Sequence, residues 1–207
     1  MKTYVYVDGF NFYFGSVKGT PYKWVNIRKL CETLLPCNQI ECIKYFTARV
    51  RARPHNPNGP VNQGTFLRAL RTLPNFEIHF GHFLKHTVWM PLAHPVAGLA
   101  QHVEVIKTEE KGSDVNLATH LLNDAHRERF EVAVVVSGDS DLLGPVRIVM
   151  NELHKTVGVL NPQQRTCRVL ANQATFYRHI RQGVLGTCLL PNTMTDTNGT
   201  FTKPPTW

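Results

Sequence analysis

Aspartates stand directly behind two apolar runs of this chain. The run at residues 4–7 ends in Asp8, and the run at residues 132–136 is followed closely by Asp139 and Asp141. Short apolar runs of this kind are typical of strands buried on both faces of a parallel sheet, where ligands bind just beyond the carboxyl ends. The pattern therefore predicts three carboxylates in one crevice.

A fourth aspartate, Asp114, follows a short loop and opens a strongly periodic helical segment. If the two strands are neighbours, all four carboxylates converge, and oxygen ligands of this kind suit Mg²⁺ or Mn²⁺. Such an ion can generate a hydroxide-like nucleophile from bound water and stabilise charge on a phosphoryl oxygen, as phosphodiester hydrolysis requires. Asn11, three residues after Asp8, could add a neutral oxygen or orient a ligand.

Each aspartate also has a structural explanation. An Asp behind a strand often caps a helix or forms an Asx turn, and Asp114 in a first helical turn would complement the helix dipole. The combination favours function, because four aspartates at one predicted edge, in a chain with 15 acidic residues, are poorly explained as four independent caps.

The elements that would position these residues alternate along the chain. Strands are predicted at 4–7, 40–47, 76–83, 102–107, 132–136 and 156–160, and helices at 25–35, 61–73, 113–125 and 142–151. Ser113 is the predicted N-cap of the third helix, because its hydroxyl can accept from the first-turn N–H groups. Alternating strands and helices imply right-handed crossovers, and hence an α/β fold with a mainly parallel central sheet.

Three segments depart from this alternation. Residues 85–101 are rich in His, Pro and Gly, so we expect an excursion or an irregular hairpin there, and residues 173–191 fit helix and strand equally well. The segment from 192 onward is rich in Thr, Pro and Asn, which predicts a flexible tail. We therefore predict one domain over residues 1–190 and a tail over residues 191–207.

The charge balance favours a polyanionic partner. Lys and Arg total 23 against 15 Asp and Glu, a net charge of +8. We expect basic residues near the acidic edge to contact a phosphate backbone, although solvated charges would give the same pattern. The candidates leave the second predicted strand or flank the loop before Asp114, and they are Arg49, Arg51, Arg53, Lys107 and Lys111.

Four aromatic residues follow the first predicted strand closely. An exposed ring among Phe10, Phe12, Tyr13 and Phe14 could stack on an unpaired base, although most of them are expected in the core.

The cysteine content and the hydropathy of the chain indicate the cellular compartment in which the protein is expected. The five cysteines form an odd set without a C-x-x-C pair, which argues against a disulfide framework and a zinc ribbon. No stretch approaches the roughly 18 apolar residues of a membrane span, and the chain enters its first strand without a leader. We therefore expect a cytoplasmic protein with reduced thiols and no membrane partner.

Three ordered blocks of this sequence resemble the signature blocks of the NYN domain, a branch of the PIN-like nuclease superfamily. The blocks are VDGFN at 7–11, EEKGSDVNLA at 109–118 and VSGDSDL at 136–142, and the resemblance spans about residues 2–170. It implies a three-layer Rossmann-like fold, an acidic pocket that binds Mg²⁺ or Mn²⁺, and ribonuclease activity or RNA processing. Carried over by position, the pocket consists of Asp8, Asp114, Asp139 and Asp141, with Asn11 beside them.

Other enzyme classes fit the sequence less well. A dehalogenase-type phosphatase needs D-x-D-x-T, but Leu143 stands at the last position of the matching segment. Neither strand is followed by the G-x-G-x-x-G of dinucleotide binding, and the G-x-S-x-G of a serine hydrolase is also lacking.

A non-catalytic regulator that keeps the fold and a metal site, and binds RNA or a protein, stays open as the alternative to a ribonuclease. Retention of all four aspartates weighs against it, because uncompensated carboxylates would repel phosphate. DNA as the nucleic acid, a homo-oligomer and a protein partner also stay open.

Overall fold

The centre of the protein is a sheet of six parallel strands with helices on both faces. This computed structural model describes residues 1–54, 56–95, 98 and 100–207. In chain order the strands are β1 (Lys2–Asp8), β2 (Gln39–Thr47), β3 (Phe76–Phe80), β4 (His82–Pro91), β5 (His102–Lys111), β6 (Val132–Val136), β7 (Thr156–Asn161), β8 (Phe176–His179), β9 (Thr193–Asp196) and β10 (Gly199–Thr202).

The order of the strands in the central sheet is β3-β2-β1-β6-β7-β8. The chain moves outward from β1 to β3 and then returns to the other side of β1, so the direction of winding reverses between β1 and β6. Val7 pairs with Val136 in this ladder, and Asp8 therefore ends β1 level with the first residue after β6. In open parallel sheets ligands bind at such a switch point.

The α-helices of the described residues cover the sheet, and they divide between its faces. They are α1 (Gly9–Phe12), α2 (Ile27–Leu34), α3 (Gly59–Arg71), α4 (Ser113–His126), α5 (Leu143–Asn151), α6 (Arg168–Gln173) and α7 (Gln182–Thr187). A wider turn continues α1 over Tyr13–Val17, and Ser140–Leu142 form a short turn before α5.

Two hydrophobic cores separate these layers. Leu30, Leu70 and Leu185, from α2, α3 and α7, pack against one face of the sheet. Leu117 of α4 and Val146 of α5 pack against the other. All five residues of β6 are buried, as expected for a strand covered on both faces. The predicted three-layer α/β fold is confirmed.

The start of α4 differs from the prediction. Gly112, at φ 95°, occupies the capping position, and Ser113 is the first helical residue. The side chain of Glu110 accepts hydrogen bonds from the backbone N–H (3.1 Å) and the hydroxyl (2.8 Å) of Ser113. The carboxylate thus takes the capping role expected of the serine hydroxyl, and glycine is needed where φ is positive.

An excursion or an irregular hairpin was expected at 85–101, and the structure has a regular antiparallel ribbon whose first strand includes residues 85–91. Strand β3 ends at Phe80, and after Gly81 the strands β4 and β5 pair over ten residues each, from His82 opposite Lys111 to Pro91 opposite His102. The predicted strands at 76–83 and 102–107 were therefore wrong in their bounds. The ribbon leaves the core, and its outer half exposes Trp89 and Ile106.

The segment beyond Pro191 forms a hairpin of β9 and β10 that packs on α3. Phe201 is buried in the core, and the guanidinium of Arg68 donates two hydrogen bonds of 2.7 Å to the carboxylate of Asp196. The segment expected to be a flexible tail therefore has regular structure. A few apolar side chains and one bidentate ion pair anchor it.

A charged pair is buried under α4. Asp124 is fully buried, and its carboxylate accepts hydrogen bonds from Lys44 Nζ (2.6 Å), the Tyr6 hydroxyl (2.8 Å) and Arg129 (3.1 Å). Lys44 is itself only 2% exposed. Both charges are thus satisfied inside the protein.

All five cysteines are free thiols, as predicted. Among the described residues, no helix combines the length and the apolar character that crossing a bilayer would need.

Replacing Asp124 with Ala should destabilise the protein by about 3–5 kcal/mol, because the buried charge of Lys44 would lose its 2.6 Å partner and keep the longer ion pair, 3.6 Å, with the exposed Glu77. Urea unfolding followed by circular dichroism measures this change. Glu128→Gln is the control, since it removes the exposed ion pair with Lys155 and should cost at most about 1 kcal/mol. An equal effect of both substitutions would contradict this account.

Candidate active site at the carboxyl edge of the sheet

Asp8 is held in a fixed orientation at the end of β1. It is only 4% exposed, its Oδ1 accepts a hydrogen bond from the Asn11 backbone N–H (2.9 Å), and its Oδ2 accepts from the Ser137 hydroxyl (3.0 Å). The sequence produces this geometry because Asp8 caps α1, which begins at Gly9 directly behind the strand.

The loop after β6 carries the next two carboxylates. The Asp139 backbone N–H donates to the Ser137 hydroxyl (3.1 Å), and Asp139 Oδ1 accepts from the Asp141 backbone N–H (3.0 Å). Asp139 is half-buried and Asp141 is exposed. The Ser137 hydroxyl therefore links the Asp8 carboxylate to the backbone of Asp139.

Asn11 ties the loops of three strands together. Its side-chain oxygen accepts hydrogen bonds from the backbone N–H of Gly138 (2.9 Å) and from Gln163 Nε2 (3.3 Å), which lies behind β7. The sequence predicts Asn11 as a ligand or as an orienting group. Its position supports the orienting role, because its oxygen already has two donors.

Asp114 approaches the same edge from the first turn of α4. Burial is the largest cause that raises its pKa, and the charges of Asp139, Glu110 and Asp141 raise it further. The four predicted aspartates are thus near enough to one another to interact electrostatically.

The electrostatics of Asp8 are the most perturbed of the site. Burial raises its pKa to about 7, and the charges of Asp114 and Asp139 contribute, while the hydrogen bonds from Asn11 and Ser137 act in the opposite direction. None of the four aspartates forms an ion pair with a lysine, arginine or histidine within the part of the chain that the structure describes. The edge therefore carries uncompensated negative charge.

The site fits a hard cation by charge and donor type. Its oxygens come from carboxylates, which Mg²⁺ and Mn²⁺ prefer. Across residues 1–54, 56–95, 98 and 100–207, no three His, Cys, Asp or Glu side chains form a ready-made ligand set. Mg²⁺ usually keeps several waters in its coordination shell, so a few carboxylates are enough to hold it.

The three predicted arginines leave β2 at this edge and are exposed. Gln63 of α3 holds their segment, because its side chain accepts from the Val50 N–H and donates to the Ala48 carbonyl, both at 2.9 Å. The guanidinium carbon of Arg49 lies 4.9 Å from the centroid of the Phe80 ring. Arg51 and Arg53 instead line a cavity that begins beside Asp8.

The two predicted lysines have a different environment. Lys107 and Lys111 lie on β5 and form ion pairs with Glu109 at 2.7 and 3.4 Å. Alternate residues of a strand share a face, so all three lie on the face of the ribbon opposite Glu110. Their charge is partly compensated, and they are weaker candidates for phosphate contacts than the arginines.

Most of the aromatic residues behind β1 were expected in the core, but Phe12 alone of the four is buried. Phe12 is buried, whereas Phe14 is 57% exposed. Phe10 is half-buried, and its ring meets that of Phe83 edge to face, with 5.8 Å between the centroids.

Two site residues were missed from the sequence, Ser137 and Gln163. Ser137 lies level with Asp8 in the β1–β6 ladder, so the strand register would have indicated it. Gln163 follows β7, the next strand of the sheet, and the rule that ligand sites lie behind strand ends applies there as well.

A cavity of about 850 Å³ opens next to the carboxylates. Eight aromatic side chains belong to the part of its lining that the structure describes, and it begins at Gly9, the residue after Asp8. It extends between α1, the arginine segment and the base of the ribbon.

Comparison with known proteins identifies relatives of this chain. The family model of the NYN domain matches residues 2–181. A protein of Pseudomonas putida named 6-hydroxy-3-succinoylpyridine 3-monooxygenase is 30% identical over 236 aligned residues, which cover 100% of this chain and 75% of the relative.

A solved structure shares the fold. A protein of unknown function from Vibrio parahaemolyticus superposes with a TM-score of 0.58 at 19% identity, over 91% of this chain and 96% of that chain.

The raised pKa of Asp8 predicts a specific pH dependence. Its pKa in the folded protein, about 7, lies above the ordinary 3.8, so the contribution of protonated Asp8 to stability is complete below about pH 4 and is lost as the pH rises through 7. Without divalent ions, Asp8→Asn should be more stable than the wild type at pH 8, by on the order of 4 kcal/mol, and the difference should shrink toward pH 4.

Urea unfolding in EDTA at pH 4, 6 and 8 tests this dependence. Glu152→Gln, which changes an exposed carboxylate outside the site, should follow the wild type at every pH. A difference between wild type and Asp8→Asn that does not vary with pH would contradict the assignment.

Proposed function

This chain belongs to the NYN domain family, and on that premise we propose that it is a metal-dependent ribonuclease acting at the carboxyl edge of the sheet. The proposal rests chiefly on Asp8. A buried carboxylate whose pKa is raised to about 7 beside two further acids, at a topological switch point, is costly to the fold unless a cation occupies the site.

The division of roles follows from the hydrogen bonds. Asp8 and Asp139, with Asp114 opposite them, would hold Mg²⁺ or Mn²⁺. When bound, such an ion supplies a hydroxide-like nucleophile from water and neutralises charge on a phosphoryl oxygen. Ser137 and Asn11 orient Asp8 and the loop after β6, so they are positioning residues.

The remaining residues would act on the substrate and on the attacking water. Asp141 is exposed at the edge, where its carboxylate can accept a proton from water as the new bond to phosphorus forms and the bond to the leaving oxygen breaks. Arg51 and Arg53 are exposed beside the acids and would hold the RNA backbone by contacts to phosphate.

A regulator that binds RNA without cutting it is the alternative within the same fold. It would keep the arginines and the cation, which removes the repulsion between carboxylates and phosphate. The two functions differ only in whether bound RNA is hydrolysed, so an activity measurement separates them.

The large aromatic cavity favours a second candidate function. The relative from Pseudomonas putida is named as a monooxygenase of a hydroxylated pyridine that carries a succinoyl group. Oxygenation of a small heteroaromatic acid by this chain would place the ring in the cavity. The monooxygenase function would be supported if the protein consumed 6-hydroxy-3-succinoylpyridine together with dioxygen and a reduced nicotinamide or flavin. It would be excluded if the protein cleaved RNA and showed no such turnover.

Replacing Asp139 with Asn should lower RNA cleavage by on the order of 100-fold or more, because it removes a charge that would hold the metal. Purified protein is incubated with single-stranded and structured RNA in Mn²⁺ or Mg²⁺, and product is measured on gels. Glu152→Gln should keep full activity, and EDTA should abolish cleavage by the wild type.

Two results would overturn the ribonuclease assignment. Cleavage that survives both Asp139→Asn and chelation would belong to a contaminant or to another site. RNA binding that weakens with salt, without cleavage in either metal, would favour the regulator. Stabilisation of the wild type by Mn²⁺, lost in Asp139→Asn, tests metal binding separately from activity.

Arg51 and Arg53 should act through charge and not through base identity. Arg51→Gln should weaken RNA binding about equally for different sequences and lower the slope of log affinity against log salt by about 1. Arg147→Gln, an exposed arginine on α5, is the matched control and should leave the slope unchanged. Fluorescence anisotropy with labelled RNA in EDTA, at several salt concentrations, measures both effects.

A further inference from the structure

The cavity next to Asp8 is a bounded chamber with walls from distant parts of the chain. Its volume is about 850 Å³, and residues from the first helix, the arginine segment, α3, the ribbon and the C-terminal segment line it. Sites for small ligands usually measure roughly 300–1,000 Å³. The chamber is therefore large enough for one ring system with its substituents.

Aromatic rings from separate segments of the chain form its walls. Phe10 and Phe83 meet edge to face, with 5.8 Å between ring centroids, and so join the first helix to the ribbon. A second pair of rings, Phe66 of α3 and Trp207, has 5.4 Å between the ring centroids. Rings that are fixed by one another offer flat surfaces for a further planar ring.

The wall nearest to the carboxylates is the ring of Tyr45. A Cβ at Gly9 would lie 2.7 Å from this ring and 2.7 Å from the Phe46 carbonyl oxygen, so glycine is needed for the close approach. Burial raises the pKa of Tyr45, and the charge of Asp8 adds to that effect. The tyrosine therefore stays neutral and borders both the cavity and the acidic edge.

The charged groups of the lining are mostly cationic. The five cations are Lys18, Lys23, Arg51, Arg53 and Lys85. None of them forms an ion pair among the residues that the structure describes. Glu110 is the one acid among the described residues of the lining, and its carboxylate already accepts two hydrogen bonds from Ser113. The lining thus attracts an anion.

We propose that this cavity binds a planar aromatic ring that carries an anionic group, with the ring between the aromatic walls and the anion on the arginines and lysines. Two kinds of molecule share this chemistry, a nucleotide of unpaired RNA and a free aromatic acid. Ring binding does not require cleavage, so the proposal goes beyond the ribonuclease assignment.

Binding is measured by isothermal titration calorimetry with the full chain in EDTA. One arm uses the four nucleoside 5′-monophosphates, and the other uses pyridine-3-carboxylate and 6-hydroxy-3-succinoylpyridine. Ribose 5-phosphate, uncharged nucleosides and pyridine each lack one half of the proposed ligand. At least one complete ligand should bind about tenfold or more tightly than its truncated analogues, which corresponds to the loss of one stacked ring or one charge contact.

Matched variants locate the bound ring. Phe83→Leu keeps an apolar wall but removes the ring, and it should weaken binding about tenfold. Trp89→Leu removes an exposed ring from the same face of β4, outside the cavity, and should leave affinity unchanged. Ala52→Trp, at an exposed position of the lining, should block binding by filling the space, and it leaves the aromatic walls intact if Phe83→Leu fails to fold.

Arg51→Gln tests the anionic half in the same assay. It should weaken binding of the complete ligands and leave the affinity for the uncharged analogues unchanged, with Arg147→Gln again as the control. Binding in the nucleotide arm alone identifies the ring as an RNA base, and binding in the other arm alone identifies a free aromatic acid.

The proposal is overturned if no complete ligand binds, if truncated analogues bind equally well, or if Ala52→Trp leaves affinity unchanged. Its failure differs from failure of the ribonuclease assignment. Protein that cleaves RNA but binds none of these ligands would overturn only the cavity proposal, and protein that binds them without cleaving would overturn only the ribonuclease.

Discussion

Strand β1 forms parallel ladders with β2 on one side and with β6 on the other, and the rest of the molecule depends on this double pairing. It makes β1 the strand at which the winding of the sheet reverses, so the loops behind β1 and β6 diverge and leave a crevice. Because Val7 pairs with Val136, Asp8 and Ser137 come level and form a hydrogen bond across the crevice. A shift of one residue in that register would turn Asp8 to the other face of the sheet, and its hydrogen bond with Ser137 would be lost.

Two buried aspartates in this protein show the difference between a structural and a functional carboxylate. Asp124 accepts from Lys44, Arg129 and Tyr6, so its charge is compensated within the fold. Asp8 receives only two uncharged donors and faces further acids, and burial raises its pKa to about 7. Lys44 compensates the charge of Asp124, whereas no lysine pairs with Asp8 among the described residues. The negative charge of Asp8 therefore destabilises the folded protein, and a bound cation would relieve that cost.

The sequence predicts well those parts of the structure in which burial requires a regular pattern of apolar residues. The strand over 132–136 is apolar because both of its faces are covered, and its end locates Asp139. A hairpin was one of two expectations for the ribbon, but its strand bounds were wrong. The ribbon leaves the core, so neither face of β4 imposes an alternation of polar and apolar residues. The orienting role of Asn11 depends on Gln163, which lies 152 residues away, and no local pattern could reveal that contact.

The acidic edge and the aromatic cavity are linked at one residue, Gly9. Its backbone begins the helix whose N-terminal cap is Asp8, and its missing side chain admits the Tyr45 ring that borders the cavity. A side chain at this position would displace either the tyrosine or the turn that orients the carboxylate. The fold therefore couples the placement of an aromatic surface to the placement of an acid, so a ring bound in the cavity would carry its substituents toward the carboxylates. That coupling is a consequence of local geometry and holds whichever chemistry the edge performs.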